Sequence, residues 1–177
     1  MEKETETQSP TRQMIVFRIA DETFAADIEI AREVIRLDAI TPVPGVPEAI
    51  AGITSVRGKI VPLLELGVLF RIGRHTSLEA YILLVDLPGS EVVGMIVDEI
   101  LEIRHFSVEE ITTAPKILNS KVSPDFIAGV ILPKADTDKE QVILLVDLAA
   151  TINKSTAEIL GHIKNTPAAT NILEEKA

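Results

Sequence analysis

Pro47-Glu48-Ala49-Ile50-Ala51-Gly52-Ile53 returns 77 positions later as Pro124-Asp125-Phe126-Ile127-Ala128-Gly129-Val130. Each copy runs proline, acid, one variable residue, then Ile-Ala-Gly followed by an aliphatic residue, and the likeness extends both ways. Upstream lie Ala39-Ile40-Thr41-Pro42 and Ile111-Thr112-Thr113-Ala114-Pro115. Downstream, Val61-Pro62-Leu63-Leu64-Glu65-Leu66 is matched by Ile143-Leu144-Leu145-Val146-Asp147-Leu148, now displaced by 82. A displacement that grows along ordered matches is what a loop insertion between elements of equal length produces. The stretch 133–141, polar and carrying Lys134 and Asp136, reads as that insertion. The chain is therefore expected to hold two similar β-units of about five strands each, in a barrel or sandwich.

Around this repeat, short apolar runs alternate with polar or Gly/Pro turns, giving strands over 14–19, 23–28, 34–40, 60–64, 81–87, 92–97, 101–106 and 142–146. Between 27 and 37 the pattern also fits a helical face, so a turn or short helix at 31–33 followed by a strand is expected. Composition agrees with a β fold. Ile and Val total 39 against 17 Leu, and β-branched side chains favour strands. Aromatics are only 3 % of the chain, so the core is expected to be aliphatic.

The chain has 177 residues, with 17 basic and 27 acidic side chains for a net charge of −10. That balance disfavours nucleic acid, whose binding needs Lys and Arg to replace phosphate counterions; it disfavours anionic lipid as well. The absence of cysteine removes disulfides, thiolate metal sites and Cys nucleophiles. The start, MEKETETQSPTRQ, has no apolar signal region, and the longest aliphatic clusters fall far short of a membrane span. A soluble, reduced, cytoplasmic protein with protein partners is the expectation. Residues 1–13 read as a disordered tail and 14–152 as the folded domain, split at about 14–73 and 79–152. Residues 153–177 read as a short helix and tail. There Ser155 and Glu158 have capping-box spacing ahead of Ile159, Leu160 and Ile163.

No catalytic constellation emerges. His75, His105 and His162 lie in unrelated segments and lack the spacing of a helical metal pair. Gly58-Lys59 imitates a phosphate loop, but Gly52 is one residue too far away and Ile60 stands where Ser or Thr would bind magnesium. Glu65, Asp98 and Asp147 sit at strand ends, where turn caps or salt bridges are their ordinary use. One cation stands out: Arg57, at the mouth of a strand and followed by a glycine able to turn.

Gly52-Ile53-Thr54-Ser55-Val56-Arg57-Gly58-Lys59-Ile60-Val61-Pro62-Leu63-Leu64-Glu65-Leu66 closely resembles the signature of the CheW-like domain family, roughly Gly-Val-x-Asn-x-Arg-Gly-x-x-x-Pro-x-x-Asp-Leu. Val16-Phe17-Arg18-Ile19, Ile40-Thr41-Pro42-Val43-Pro44 and Gly94-Met95-Ile96-Val97-Asp98-Glu99-Ile100 are similar to further family segments in the same order. Ser55 replaces the usual Asn and Glu65 the usual Asp; both keep hydrogen-bonding ability. The resemblance implies an all-β fold of two intertwined five-stranded SH3-like β-barrels, to which the pattern of the tail adds a short C-terminal helix. It also implies a non-catalytic adaptor without cofactor or metal. Such an adaptor joins the cytoplasmic tips of methyl-accepting chemoreceptors to the regulatory domain of the histidine kinase CheA, in chemotaxis or in a related surface- or pilus-motility pathway. A small-molecule-binding β-barrel is the alternative from another class. Carried over by position, Ile28, Ala31, Glu33, Val34 and Arg57 fall on the receptor-binding region. Ile40, Thr41 and Val43 fall on the kinase-facing surface. Recruitment to membrane arrays would then pass through these partners, without insertion into the bilayer.

Overall fold

The structure is a computed structural model that describes residues 10–74, 79–87, 91–113, 122, 124–132 and 142–153. Eleven strands are described: β1 (Thr11–Ile19), β2 (Glu22–Asp27), β3 (Ala31–Arg36), β4 (Ile50–Val56), β5 (Lys59–Glu65), β6 (Tyr81–Asp86), β7 (Val92–Val97), β8 (Glu99–Ser107), β9 (Ile111–Thr112), β10 (Ile127–Ile131) and β11 (Ile143–Val146). They form a six-stranded sheet in the order β8-β1-β2-β11-β10-β9 and a five-stranded sheet in the order β3-β6-β7-β5-β4. One helical turn, α1 (Leu66–Leu69), follows β5.

The repeat survives in the register. Gly52 opposes Leu63 and Gly129 opposes Leu145, each just after a bulge that follows Ile50 or Ile127. Thr41 pairs with Ile53 as Thr112 pairs with Val130. On the edge strands, Glu33 opposes Leu84 and Glu102 opposes Val16, again beside matching bulges. The two sheets are thus built on one plan, and the sixth strand of the larger sheet, β9, corresponds to the single bridge at Thr41.

The boundaries 14–73 and 79–152 separate the sequence repeats but not the sheets. The β1–β2 hairpin of the first repeat joins β11 of the second by parallel pairing, Phe24 to Leu144 and Ala25 to Leu145. The β6–β7 hairpin of the second joins β5 of the first in the same way, Leu63 to Gly94 and Leu64 to Met95. Intertwining is this exchange of hairpins. Asp98 reinforces it: its Oδ2 accepts the Ala20 amide at 2.6 Å, holding the β1–β2 turn where Ala20 takes a φ of +51°. Three residues, Val108–Glu110, carry the chain from β8 at one edge of the large sheet to β9 at the other, so that sheet curls strongly. Hydrogen bonding does not close it into a barrel among the described residues.

The central core lies between the sheets, where Ile15, Phe17 and Phe24 meet Leu83, Met95 and Val97. It is aliphatic with one exception. Phe17 stacks on Phe24, Phe24 tilts onto Phe70 and Phe70 onto Phe126, with ring centroids 5.3–5.8 Å apart. The few aromatics are concentrated where both repeats meet, and each such contact adds about 0.5–1.5 kcal/mol beyond area burial.

Several expectations shift. Thr11, Arg12 and Gln13 are not tail but the exposed start of β1, paired with Ser107, Phe106 and His105. Their polarity hid them, because pairing there leaves all three side chains in solvent. The 3₁₀ turn is at Ile28–Ile30 and the strand begins at Ala31, three residues earlier than read. At the carboxyl end a helix is already open at 148, with Asp147 Oδ1 accepting the Ala150 amide at 2.8 Å. The capping box at Ser155 and the tail beyond lie outside the described residues.

Gly52 has a φ of +144°, and a β-carbon there would meet the Thr41 carbonyl oxygen at 2.3 Å. At Gly129 the φ is ordinary and the Thr112 oxygen is at 2.8 Å; at Gly58 (φ +78°) nothing is near. Alanine substitutions should therefore rank Gly52 first, at more than about 3 kcal/mol, then Gly129 at about 2 and Gly58 at about 1. Urea unfolding of the three variants checks the order.

Candidate functional site

Arg57 and Gly58 form the two-residue turn between β4 and β5, with φ values of +51° and +78°. Positive φ at both central positions marks the hairpin turn whose twist matches the flanking strands. Glycine adopts it freely; at Arg57 the backbone is held by pairing on both sides, Val56 to Lys59. The turn throws the guanidinium across the open end of the curled smaller sheet. There its Nη2 donates to Glu33 Oε1 of β3 at 2.8 Å.

This contact joins opposite edges of one sheet, since β3 and β4 are its outermost strands. The Arg57 side chain is 74 % exposed and that of Glu33 30 %, so the pair sits on a rim with the cation outward. Val34, beside Glu33, is 37 % exposed. On β3 the burial alternates, leaving Arg32, Val34 and Arg36 on the outer face. Arg32 is held by Asp86 at 2.9 Å and Arg36 lies over the Tyr81 ring at 5.7 Å. The result is an edge strand with an aliphatic centre, flanking cations and one rim ion pair.

Of the expected receptor contacts, Glu33, Val34 and Arg57 are therefore brought together. Ile28 and Ala31 are half-buried at the entry to β3. Below them a depression of about 260 Å³ opens between β2 and β11, with Arg12, Asp27, Ile30, Leu145 and Leu148 in its wall. Ile30 was not among the expected contacts; its alternation with Ile28 is the signal that marks it. Of the second set, Thr41 is exposed and Ile40 half-buried, but Val43 is only 6 % exposed. Val43 belongs to the core and offers no side-chain surface, because the chain turns inward after Pro42 to pack it. Thr41 is rigidly placed, exchanging both backbone bonds with Ile53 at 2.8 and 2.9 Å.

Among the described residues, no group of three His, Cys, Asp or Glu side chains is placed to hold a metal. Asp98 and Asp147 serve as turn and helix caps, as their strand-end positions suggested.

Partial burial pushes the Asp27 carboxyl up, but the hydrogen bond from Arg12 and the Glu29 amide outweigh it and hold it below its ordinary value. A depressed carboxyl stabilises the fold above its unfolded pKa, and that contribution is lost as pH falls through the folded value. Asp27→Asn should thus be less stable than the parent at pH 7, by about 1 kcal/mol. The gap should shrink toward pH 3, as urea titrations at both pH values will show.

The geometry can now be set beside known proteins. The CheW-like domain matches residues 13–156. The chemotaxis protein CheW of Klebsiella aerogenes is 24 % identical over 86 % of this chain and 88 % of its own length. The protein FrzA of Myxococcus xanthus is 30 % identical over 77 % of this chain and 82 % of its own. In three dimensions, the crystal structure of the scaffolding protein TtCheW from Thermoanaerobacter tengcongensis superposes with a TM-score of 0.71 at 30 % identity, covering 85 % of this chain and 99 % of that one. With the hairpin exchange, the signature around Arg57 and these likenesses in agreement, the chain belongs to the CheW-like family of chemotaxis coupling proteins.

Proposed function

We propose that this protein is a non-catalytic adaptor that holds the cytoplasmic tips of methyl-accepting chemoreceptors and the regulatory domain of the CheA histidine kinase in one assembly. The observation that carries this reading is the rim pair Arg57–Glu33, with the guanidinium in solvent beside exposed Val34. A receptor tip is a helical hairpin. An amphipathic helix laid along β3 would bury Val34 and the half-buried Ile28 and Ala31, while Arg57 and Glu33 fix its register through charge. The kinase domain, itself a double barrel of this family, would meet the surface around Thr41 and Ile40, on the far side of β4. Two partners could then be held at once. The protein would work in the cytoplasm and reach receptor arrays through these contacts; no helix among the described residues is long and apolar enough to cross a membrane.

The likeness to FrzA favours a second pathway assignment within the same role, a coupling protein of a related chemosensory system; which receptor fragment is captured decides between them. A small-molecule barrel draws no support from the described residues. The depression beside Ile30, about 260 Å³, falls below the usual range for ligand pockets, and its charged groups are already engaged, Arg12 with Asp27 at 2.7 Å and Asp147 with the Ala150 amide at 2.8 Å.

Charge reversal tests the receptor face. An exposed ion pair contributes about 1 kcal/mol or less to stability, so Arg57→Glu should melt almost like the parent. A central interfacial arginine is worth about 2 kcal/mol or more, roughly thirtyfold in affinity. The variant should keep CheA binding and lose receptor binding and receptor-dependent kinase activation. Unfolding would make Arg57 structural; normal coupling in a folded variant would remove it from the receptor face. Thr41→Arg should do the converse, weakening CheA capture by about tenfold or more while sparing the receptor.

A further inference from the structure

The strand β8 is nine residues long and forms an edge of the larger sheet, with only β1 pairing it among the described residues. Its outer face is unusually apolar for such a place. Leu101 is 41 % exposed and Ile103 55 %, followed by exposed His105. Long edges with exposed apolar side chains invite pairing with another strand. We propose that β8 pairs antiparallel with β8 of a second copy of this chain, around a two-fold axis at Ile103.

The register follows from charge. In a two-fold antiparallel pair both members of each opposed pair lie on one face, so the axis must pass through a residue and not between two. Centred on Glu102, the pair would oppose two carboxylates; centred on Arg104, two guanidinium groups. Centred on Ile103, it sets Glu102 against the second copy's Arg104 twice over and stacks Ile103 on its twin, all on the regular stretch of β8 that follows the bulge at Leu101. That register alone satisfies both charges. Within one chain Arg104 and Glu102 are 3.9 Å apart, with side chains 42 % and 51 % exposed, so both can reach outward.

The equivalent edge, β3, supplies the contrast. Its Val34 occupies the place of Ile103, as Leu83 and Ile15 show by their pairings. A two-fold axis at Val34 would oppose Glu33 to Ile35, giving the carboxylate no cation, and Arg32, the extra residue of the β3 bulge, falls outside the regular register. One plan of sheet therefore carries one edge that is self-complementary in charge and one that is not. The inference is independent of the adaptor reading, since it uses the other edge and needs neither receptor nor kinase.

The absence of cysteine gives a clean test. Directly opposed residues of an antiparallel pair have Cα atoms about 4.5–5.5 Å apart, within reach of a disulfide. Under mild oxidation Ile103→Cys should form a covalent dimer and Val34→Cys, its equivalent on β3, should not. Sedimentation equilibrium of the unmodified chain should show a reversible dimer. Glu102→Arg should weaken it about tenfold, from two like-charge oppositions, and the double exchange Glu102→Arg/Arg104→Glu should restore it. A chain that stays monomeric up to about 1 mM, the weak end of useful association, overturns the proposal. So does cross-linking at Val34→Cys equal to that at Ile103→Cys, or a dimer that the charge exchange does not rescue.

Discussion

Neither repeat can complete a sheet from its own strands, and the two parallel seams where hairpins are exchanged hold the rest of the structure together. At one seam Leu63 and Leu64 lie beside Gly94 and Met95; at the other Leu144 and Leu145 lie beside Phe24 and Ala25. Each seam needs a small residue where the neighbouring leucine crosses. A β-carbon at Gly94 would meet Leu63 at 2.6 Å and Ile82 at 2.7 Å, and the equivalent position across the other seam is Ala25, fully buried. Because the seams cross from one repeat to the other, the sheets must fold as one unit, and the phenylalanine chain from Phe17 to Phe126 fills the space their crossing creates.

That interdependence sets where recognition can occur. The smaller sheet curls until its two edges face each other, and the gap between them is bridged by side chains instead of backbone. Thr41 contributes one backbone bridge to β4, and Arg57 spans the remaining opening to Glu33. A side-chain bridge in solvent adds little to stability. It can therefore exchange partners when another charged surface arrives, at small cost to the fold. The rigidity resides in the seams and the exchangeable charge at the rim.

Much of this was legible in the sequence. Strands such as β7 and β11 were visible as short continuous apolar runs, because they are buried along nearly their whole length, and the repeat marked the equivalence of Gly52 and Gly129. The strands around those glycines, β4 and β10, were not read as strands, because Gly interrupts an apolar run and lowers strand propensity. The structure shows why glycine is there: a neighbouring carbonyl, of Thr41 or Thr112, comes too close for a side chain. The start of β3 was misplaced because Arg32 and Glu33 are charged, so the apolar run that signals a strand begins only at Val34. At the site, Arg57 was found through its turn glycine and its signature, and Glu33 through position alone. The inward turn of Val43 left no local trace, being set by tertiary packing.

The matched bulges show how one framework can supply two unlike edges. Glu33 and Glu102 occupy the same place relative to their sheets, so the backbone offers both carboxylates to the same kind of opening. What differs is what each meets. In the first repeat a two-residue turn delivers Arg57 to Glu33 at 2.8 Å, and the flanking side chains of β3 are cations with partners of their own. On β8, among the described residues, Glu102 pairs with Arg104, 3.9 Å away on the same strand, and the outer face carries Leu101 and Ile103. Stability is supplied by the shared register and seams, so substitutions on either outer face cost the fold little. The edges are free to diverge in chemistry while the scaffold between them stays the same, which is the physical condition for a protein whose work is to hold different partners at fixed positions.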